Sequence, residues 1–491
     1  MSLTRKKSLG ALLDQASHSN LKRTLTATSL IALGVGAIIG AGLFVRTAAA
    51  STQDAGPAVD ISFVIAAIGC AFAGLCYAEF AAMIPIAGSA YTYAYTTMGE
   101  FVAWIIGWAL ILEYALGAAT VAISWSEYLN YLLGRSIPFE WCHSPLQVST
   151  TGVHGLLNLP ALFIVLLLTL ILIKGTQESA TVNAIIVAIK VAIVIVFVAV
   201  GWQFVKPANL TPYTIPANYP GHSGTFQHGL GGILGGAGIV FFAFIGFDAV
   251  STAAQETKKP GRDMPIGILG SLAVCTVLYI LFGYVLTGVC NWREFAIAGK
   301  EASVAYAVEH YMPGFHWLAT AITVAILLGF SSVILVMLLG QSRVFYSMAT
   351  DGLLPKLFAD VHQKFRTPYK SNIILFFFVG AFATVVPGDV TGDLTSIGTL
   401  FAFVLVCIGV WIMRRTEPGL HRPFRTPFVP LFPLLGVLVC GGMIVSLDHR
   451  TQLTAFLWML IGLIVYFSYG RSHSQLSAPR LESPAGITPS R

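Results

Sequence analysis

Gly34-Val-Gly-Ala-Ile-Ile-Gly-Ala-Gly-Leu-Phe-Val45 lies inside the first long apolar run of the chain, Ala27 to about Ala50. Four glycines, Gly34, Gly36, Gly40 and Gly42, fall within nine residues. A glycine in a helix interior costs about 1 kcal/mol relative to alanine, so a plain spanning helix gains nothing from them. Glycine does let the backbone leave helical dihedrals and lets a ligand reach the main chain. Irregular backbone at membrane depth survives only where it lines a cavity or is buried in protein. The stretch therefore reads as a broken helix around a binding site. Close helix packing through Gly36-x-x-x-Gly40 fits the same glycines, and this stretch alone does not separate the two readings.

A second run has the same character. Gly229-Leu-Gly-Gly-Ile-Leu-Gly-Gly-Ala-Gly-Ile-Val-Phe-Phe-Ala-Phe-Ile-Gly-Phe-Asp-Ala-Val250 is apolar and interrupted by glycine. It is the sixth apolar span, five after the first. Broken helices at corresponding positions of two halves point to the substrate site of a secondary transporter.

The chain has 491 residues, of which 56% are apolar and 10% charged, and its mean hydropathy is +0.78. Long apolar runs recur from end to end, which identifies a polytopic membrane protein. Twelve spans are expected, near 27–52, 58–84, 99–134, 158–174, 178–202, 229–256, 265–289, 318–350, 370–387, 391–413, 429–447 and 452–470. Of the 28 Lys and Arg residues, 21 fall on one side of this topology and 5 on the other, with Arg46 and Lys190 inside spans. That bias places both termini in the cytoplasm and the protein in the inner (plasma) membrane. The net charge of +6 follows from the same bias and from attraction to anionic lipid; it calls for no nucleic-acid partner. The basic N-terminal segment, 1–26, shows no cleavable signal peptide. Cys142 and Cys290 fall in predicted outer loops, where a disulfide between them is an open option. No metal-ligand spacing, cofactor motif or nucleophile motif appears, and the sequence names no protein partner.

The expected fold is all-α. Residues 27–202 and 229–413 form two five-helix halves joined by an outer loop, 203–228. An odd number of spans per half inverts the second against the first, giving a five-plus-five inverted repeat with helices 1 and 6 broken. Two further helices occupy 414–470, and 471–491 forms a disordered tail rich in Ser, Pro and Arg.

Each break exposes backbone groups. A helix ending near Ile38 loses partners for its last carbonyls, and one restarting near Gly42 presents free N–H groups at the positive end of a dipole. Such an N-terminus suits a carboxylate, and the carbonyl end suits an ammonium. The Phe242–Gly246 region offers the same pair of ends. Together they match both ends of an α-amino acid. Gly40, Ala41 and Gly42 would receive the carboxylate; the carbonyls of Ile38, Phe242 and Ile245, with Ala243 between them, would receive the ammonium.

This arrangement resembles the amino acid–polyamine–organocation superfamily, and within it the bacterial branch of the cationic amino acid transporter family. The resemblance covers nearly the whole chain. It rests on Gly36-Ala-Ile-Ile-Gly-Ala-Gly-Leu-Phe-Val45, on Phe241 to Thr257 with Lys258-Lys-Pro-Gly-Arg-Asp-Met-Pro-Ile-Gly267, and on Arg343-Val-Phe-Tyr-Ser-Met-Ala-Thr-Asp-Gly-Leu-Leu-Pro355. It implies amino acid transport by alternating access, by proton-coupled symport or by exchange. It also implies that Phe242 is an aromatic gate over the substrate, against the alternative of a packing phenylalanine. In proton-coupled relatives a lysine stands at the position of Lys190. In sodium-coupled relatives the region of Ser331 and Ser332 helps hold Na⁺.

Charges inside spans are expensive and usually functional. Here they are Arg46, Glu79, Glu113, Lys190 and Asp248. Lysine, unlike arginine, can exchange its proton when buried. The resemblance implies that span five packs near the first break and span eight, where the Lys190 ammonium would stand in for Na⁺ and reach carbonyls around Gly36 to Ile39 and the hydroxyls of Ser331 or Ser332. A structural ion pair with Glu79 or Glu113 is the alternative, and for the two serines, bonds to their own helix carbonyls. Glu113 either shapes the site or makes an ion pair. Asp248 either caps the restarted helix or takes part in gating. Glu79 reads as structural. Arg46 departs from the family pattern; it faces the outer vestibule or pairs with Glu127.

A passive channel would need rings of charge or a filter loop, and neither is present. A nutrient sensor on this fold is expected to add a signalling domain, for which the segment after Gly470 is short. The apolar wall from Phe242 to Phe247 favours small neutral or apolar amino acids, with lysine and arginine as the alternative.

Overall fold

The structure is a computed structural model that describes residues 5–7, 10, 23–84, 89–149, 151–175, 180–297 and 303–477. Helix is the regular secondary structure of the described residues, apart from two isolated β-bridges. Eight helices are long and apolar enough to cross a membrane, and four shorter apolar helices accompany them among the described residues. Most of segment 1–26 and all of 478–491 lie outside the described residues.

The first broken element comprises α1 (Ala27–Ile38) and a second half-helix, α2, over residues 42–55. Thr26 caps α1 by accepting the Ser29 N–H. Then follow α3 (Val59–Met83), α4 (Glu100–Leu132), α5 (Leu159–Lys174) and α6 (Ala180–Gly201). The second broken element begins with α7 (Gly229–Val240) and continues as a tighter turn over Phe241–Phe244. After it come α8 (Pro260–Val289), α9 (His316–Thr350), α10 (Tyr369–Val385), α11 (Gly388–Thr416), α12 (Leu431–Ser446) and α13 (His449–Val465).

The broken elements lie in the middle. α8 packs along both α1 and α3, while α9 packs along α4. Small residues permit this: a Cβ on Gly267 would lie 2.6 Å from Leu30, and one on Gly74 2.8 Å from Leu272. Such close backbone approach is the usual means of helix association in lipid. The start of α1 is also tied to the far side of the second break, where the Lys258 N–H donates to Leu25 and the Leu25 N–H to Glu256. Large apolar side chains of α5, α10, α12 and α13, among them Leu167, Phe377, Leu438 and Phe456, face outward, as a lipid-facing surface requires.

Cys142 and Cys290 are both free thiols, so the open option of a disulfide between the loops is not taken up. Two expectations are corrected. Residues 471–477 are ordered rather than a loose tail: Ser474 donates to Glu100, and the Gln475 N–H donates to the Asp351 carbonyl. They fold because buried acceptors at the ends of α4 and α9 need donors. Arg46 is taken up with the site below.

Glu79, near the end of α3, ties that helix to α11 at the same end of the bundle as 471–477. Arg414 on α11 donates to both of its oxygens at 2.9 Å, Arg422 approaches to 3.2 Å, and the Thr426 N–H donates at 2.8 Å. Removing one partner of a buried pair strands the other and costs about 3–5 kcal/mol. We expect Glu79→Ala to lower thermal stability in detergent sharply. Arg415→Ala should not, because Arg415 is exposed over the Trp411 ring. Equal losses in a thermal melt would show that the network carries no special weight.

Candidate functional site

α1 ends at Ile38 because Ile39 turns to extended dihedrals, φ −72° and ψ 105°. The chain re-enters a helix at Ala41 and Gly42, whose N–H groups belong to the first turn of α2, where no intrahelical carbonyl precedes them. The second break is the tight turn Phe241–Phe244, an extended Ile245, and Gly246 at φ +114°. A side chain would strain Gly246 there.

The two breaks are pressed together. A Cβ on Gly42 would collide with the backbone of Ala243. A Cβ on Gly246 would sit 2.9 Å from the Ala37 carbonyl, and one on Gly40 3.3 Å from Val333 of α9. Ile38, Gly40, Ala41, Gly42, Phe242, Ala243 and Ile245 are thus gathered in one buried place. The Phe242 carbonyl already accepts the Ile245 N–H at 3.3 Å, and like any carbonyl it has a second lone pair to offer. Phe242 is buried, yet among the described residues its ring pairs with no other aromatic ring, whereas Phe241, Phe244 and Phe247 are all locked into ring pairs.

Lys190 reaches this region from α6. It is 2% exposed, and its ammonium donates to the Gly36 carbonyl at 2.9 Å. Its stem lies against Gly329 of α9, where a Cβ would come within 2.7 Å of Lys190 Cε. The lysine therefore joins α1 to α9 just before the first break. Ser331 differs from the expected hydroxyl partner: it donates to the Leu327 carbonyl of its own helix at 2.9 Å, because that acceptor lies one turn back within reach. Ser332 is buried on the same helix.

Glu113 sits in a π-helical turn of α4, Leu112–Leu116, a feature frequent at functional sites. Its carboxyl lies near that of Asp248 without a hydrogen bond between them. Asp248 also accepts from the neighbouring Tyr114 hydroxyl at 2.7 Å. Both acids are fully buried.

Arg46 corrects the sequence reading. Its guanidinium pairs with Asp393 and reaches the Asp389 carbonyl at 3.5 Å, with Gly392 leaving room for it. It is 2% exposed, so it does not face an open vestibule, and it pairs with Asp393 on α11. Helix α11 offers a carboxylate one turn from its start, and a buried guanidinium needs one.

Tyr279 on α8 was missed by the sequence reading. Its hydroxyl lies 3.1 Å from the Ile38 carbonyl and 3.0 Å from the Ala243 carbonyl. A tyrosine in a long apolar helix carries no local sequence signal for this role.

The Gly42–Ala243 contact gives a direct test. Gly42→Val should abolish ligand binding and uptake while the protein still inserts, because the new side chain forces the two breaks apart. Near-normal uptake by a well-expressed variant would show that the close approach is not needed.

Comparisons with known proteins give the family. Residues 25–471 match the family model described as amino acid permease. The branched-chain amino acid permease of Bacillus subtilis is 42% identical over 97% of this chain and 99% of its own length. The methylthioribose transporter of the same organism is 39% identical over 97% and 99%. The vacuolar cationic amino acid transporter 4 of Arabidopsis thaliana is 33% identical over 85% of this chain and 68% of its own. The chain belongs to the amino acid permease family of the amino acid–polyamine–organocation superfamily, and it is a multi-pass membrane transporter rather than an enzyme.

Proposed function

We propose that the protein is a secondary active transporter that carries small neutral or apolar L-amino acids together with protons. The observation that carries this reading is the contact between two broken helices, which brings amide donors and carbonyl acceptors to one buried point. The N–H groups of Gly40, Ala41 and Gly42 take the substrate carboxylate, and the carbonyls of Ile38, Phe242 and Ile245 lie on the ammonium side. Phe242, which pairs with no aromatic ring among the described residues, closes over the substrate. The surrounding wall of Ala243, Ile245 and Val333 is apolar, which favours an apolar side chain over a cationic one. Two of the relatives are named for branched-chain and cationic amino acids, and a third for methylthioribose; cationic substrates and exchange are the alternative arms of the test.

Lys190 supplies the proton coupling in this reading. Charged, it bonds the Gly36 carbonyl and holds α1 against α9; neutral, it releases them. Ser332 and Ser331 lie on the facing helix, and Ser331 is free to turn from its own helix when α1 moves. Glu113 and Asp248 form the charge network behind the second break. Residues 27–202 and 229–413 act as the two inverted halves, with 414–470 as an added pair of helices. Both termini face the cytoplasm of a cell whose plasma membrane holds the protein.

The test is uptake into proteoliposomes driven by an inward proton gradient, with and without Na⁺. Wild type should accumulate leucine or alanine without Na⁺, whereas Lys190→Ala should bind but not accumulate. A requirement for Na⁺, or full proton-driven accumulation by the variant, contradicts the coupling role. Preference for lysine, arginine or methylthioribose contradicts the substrate class. Phe242→Ala should lose far more transport than Phe242→Trp; equal losses would assign Phe242 to packing.

A further inference from the structure

Tyr279 stands where the two breaks meet. Its ring is wedged against Phe63 and Phe244, at centroid distances of 5.4 and 5.2 Å, and the residue is fully buried. The hydroxyl faces two carbonyls, Ile38 at 3.1 Å and Ala243 at 3.0 Å. One belongs to the last turn of α1, where intrahelical donors run out; the other belongs to the tight turn of the second break.

A phenol has one proton and two lone pairs. It donates fully to one carbonyl at a time, so two acceptors share one donor. A buried acceptor left short of a donor is costly, and charge-assisted bonds fill such a place best. An α-ammonium brings three N–H groups to the same point.

We propose that Tyr279 makes this transporter selective for a primary α-amine, a step that rests on the amino acid site proposed above. In the loaded state the hydroxyl donates to Ala243. The substrate ammonium then donates one N–H to the Ile38 carbonyl and one to the Tyr279 oxygen, and the third N–H turns to the Phe242 or Ile245 carbonyl of the second break. All three N–H groups are used, so an N-methyl group displaces a hydrogen bond and meets a polar wall. A 2-hydroxy acid offers a single neutral donor in place of three charged ones. Tyr279 is thereby a specificity residue, while its ring is a packing element.

The two roles separate in Tyr279→Phe, which keeps the ring between Phe63 and Phe244 and deletes only the hydroxyl. The experiment is binding of L-leucine against N-methyl-L-leucine, and L-alanine against N-methyl-L-alanine, to purified full-length protein, with thermal melts alongside. Wild type should prefer the primary amine by about tenfold or more. Tyr279→Phe should bind the primary amines about tenfold more weakly, narrow the preference to within about threefold, and melt close to wild type. Unchanged preference in the variant overturns the proposal, because a purely structural hydroxyl would weaken both ligands alike. Equal binding of both amines by wild type overturns it without any variant. Wild type that binds none of the four compounds overturns the underlying amino acid site, and this assignment with it.

Discussion

A broken helix in hydrocarbon leaves backbone groups with no water to turn to, and each such group is costly unless the protein supplies a partner. That single constraint accounts for much of what surrounds the two breaks. Lys190 comes from α6 to the Gly36 carbonyl, and Tyr279 comes from α8 to the carbonyls of Ile38 and Ala243. The breaks also press on one another through Gly42 and Gly246. A site held this way is built mostly from main chain, with side chains fixing its position from outside.

The same helix, α11, is clasped near both of its ends by buried charge. Asp393 holds Arg46 just beyond the first break, and Arg414 holds Glu79 on α3. About twenty residues of helix separate the two pairs, which at 1.5 Å per residue is roughly the thickness of the hydrocarbon core. Arg46 and Glu79 both belong to elements next to the first break, so each pair ties that part of the bundle to a helix outside it.

Glycine spacing made the breaks legible. Gly40, Gly42 and Gly246 are needed where backbones touch or φ is positive, and no apolar residue with a side chain fits there. Lys190 was legible because a lone ammonium in an apolar run is expensive. What the sequence hid were partners fixed by tertiary packing. Asp393 is 347 residues from Arg46, and Tyr279 is 241 residues from Ile38; no local pattern joins them. Tyr279 is one of 17 tyrosines and looks like any other in its helix. For Ser331 the sequence left two partners open, and in the structure it bonds an acceptor one turn back on its own helix. The folding of 471–477 was hidden for a similar reason: its acceptors, on Glu100 and Asp351, lie far away in the chain.

The central claim is that main-chain groups at the two breaks hold both ends of an amino acid. Cryo-electron microscopy of the full-length protein with bound L-leucine or L-alanine tests it most directly. The account predicts ligand density between the breaks, with its carboxylate within about 3.2 Å of the Ala41 and Gly42 nitrogens and its amine within hydrogen-bond reach of the Ile38 carbonyl. Density elsewhere in the bundle, or a ligand held between the breaks by charged side chains instead of the main chain, would contradict it.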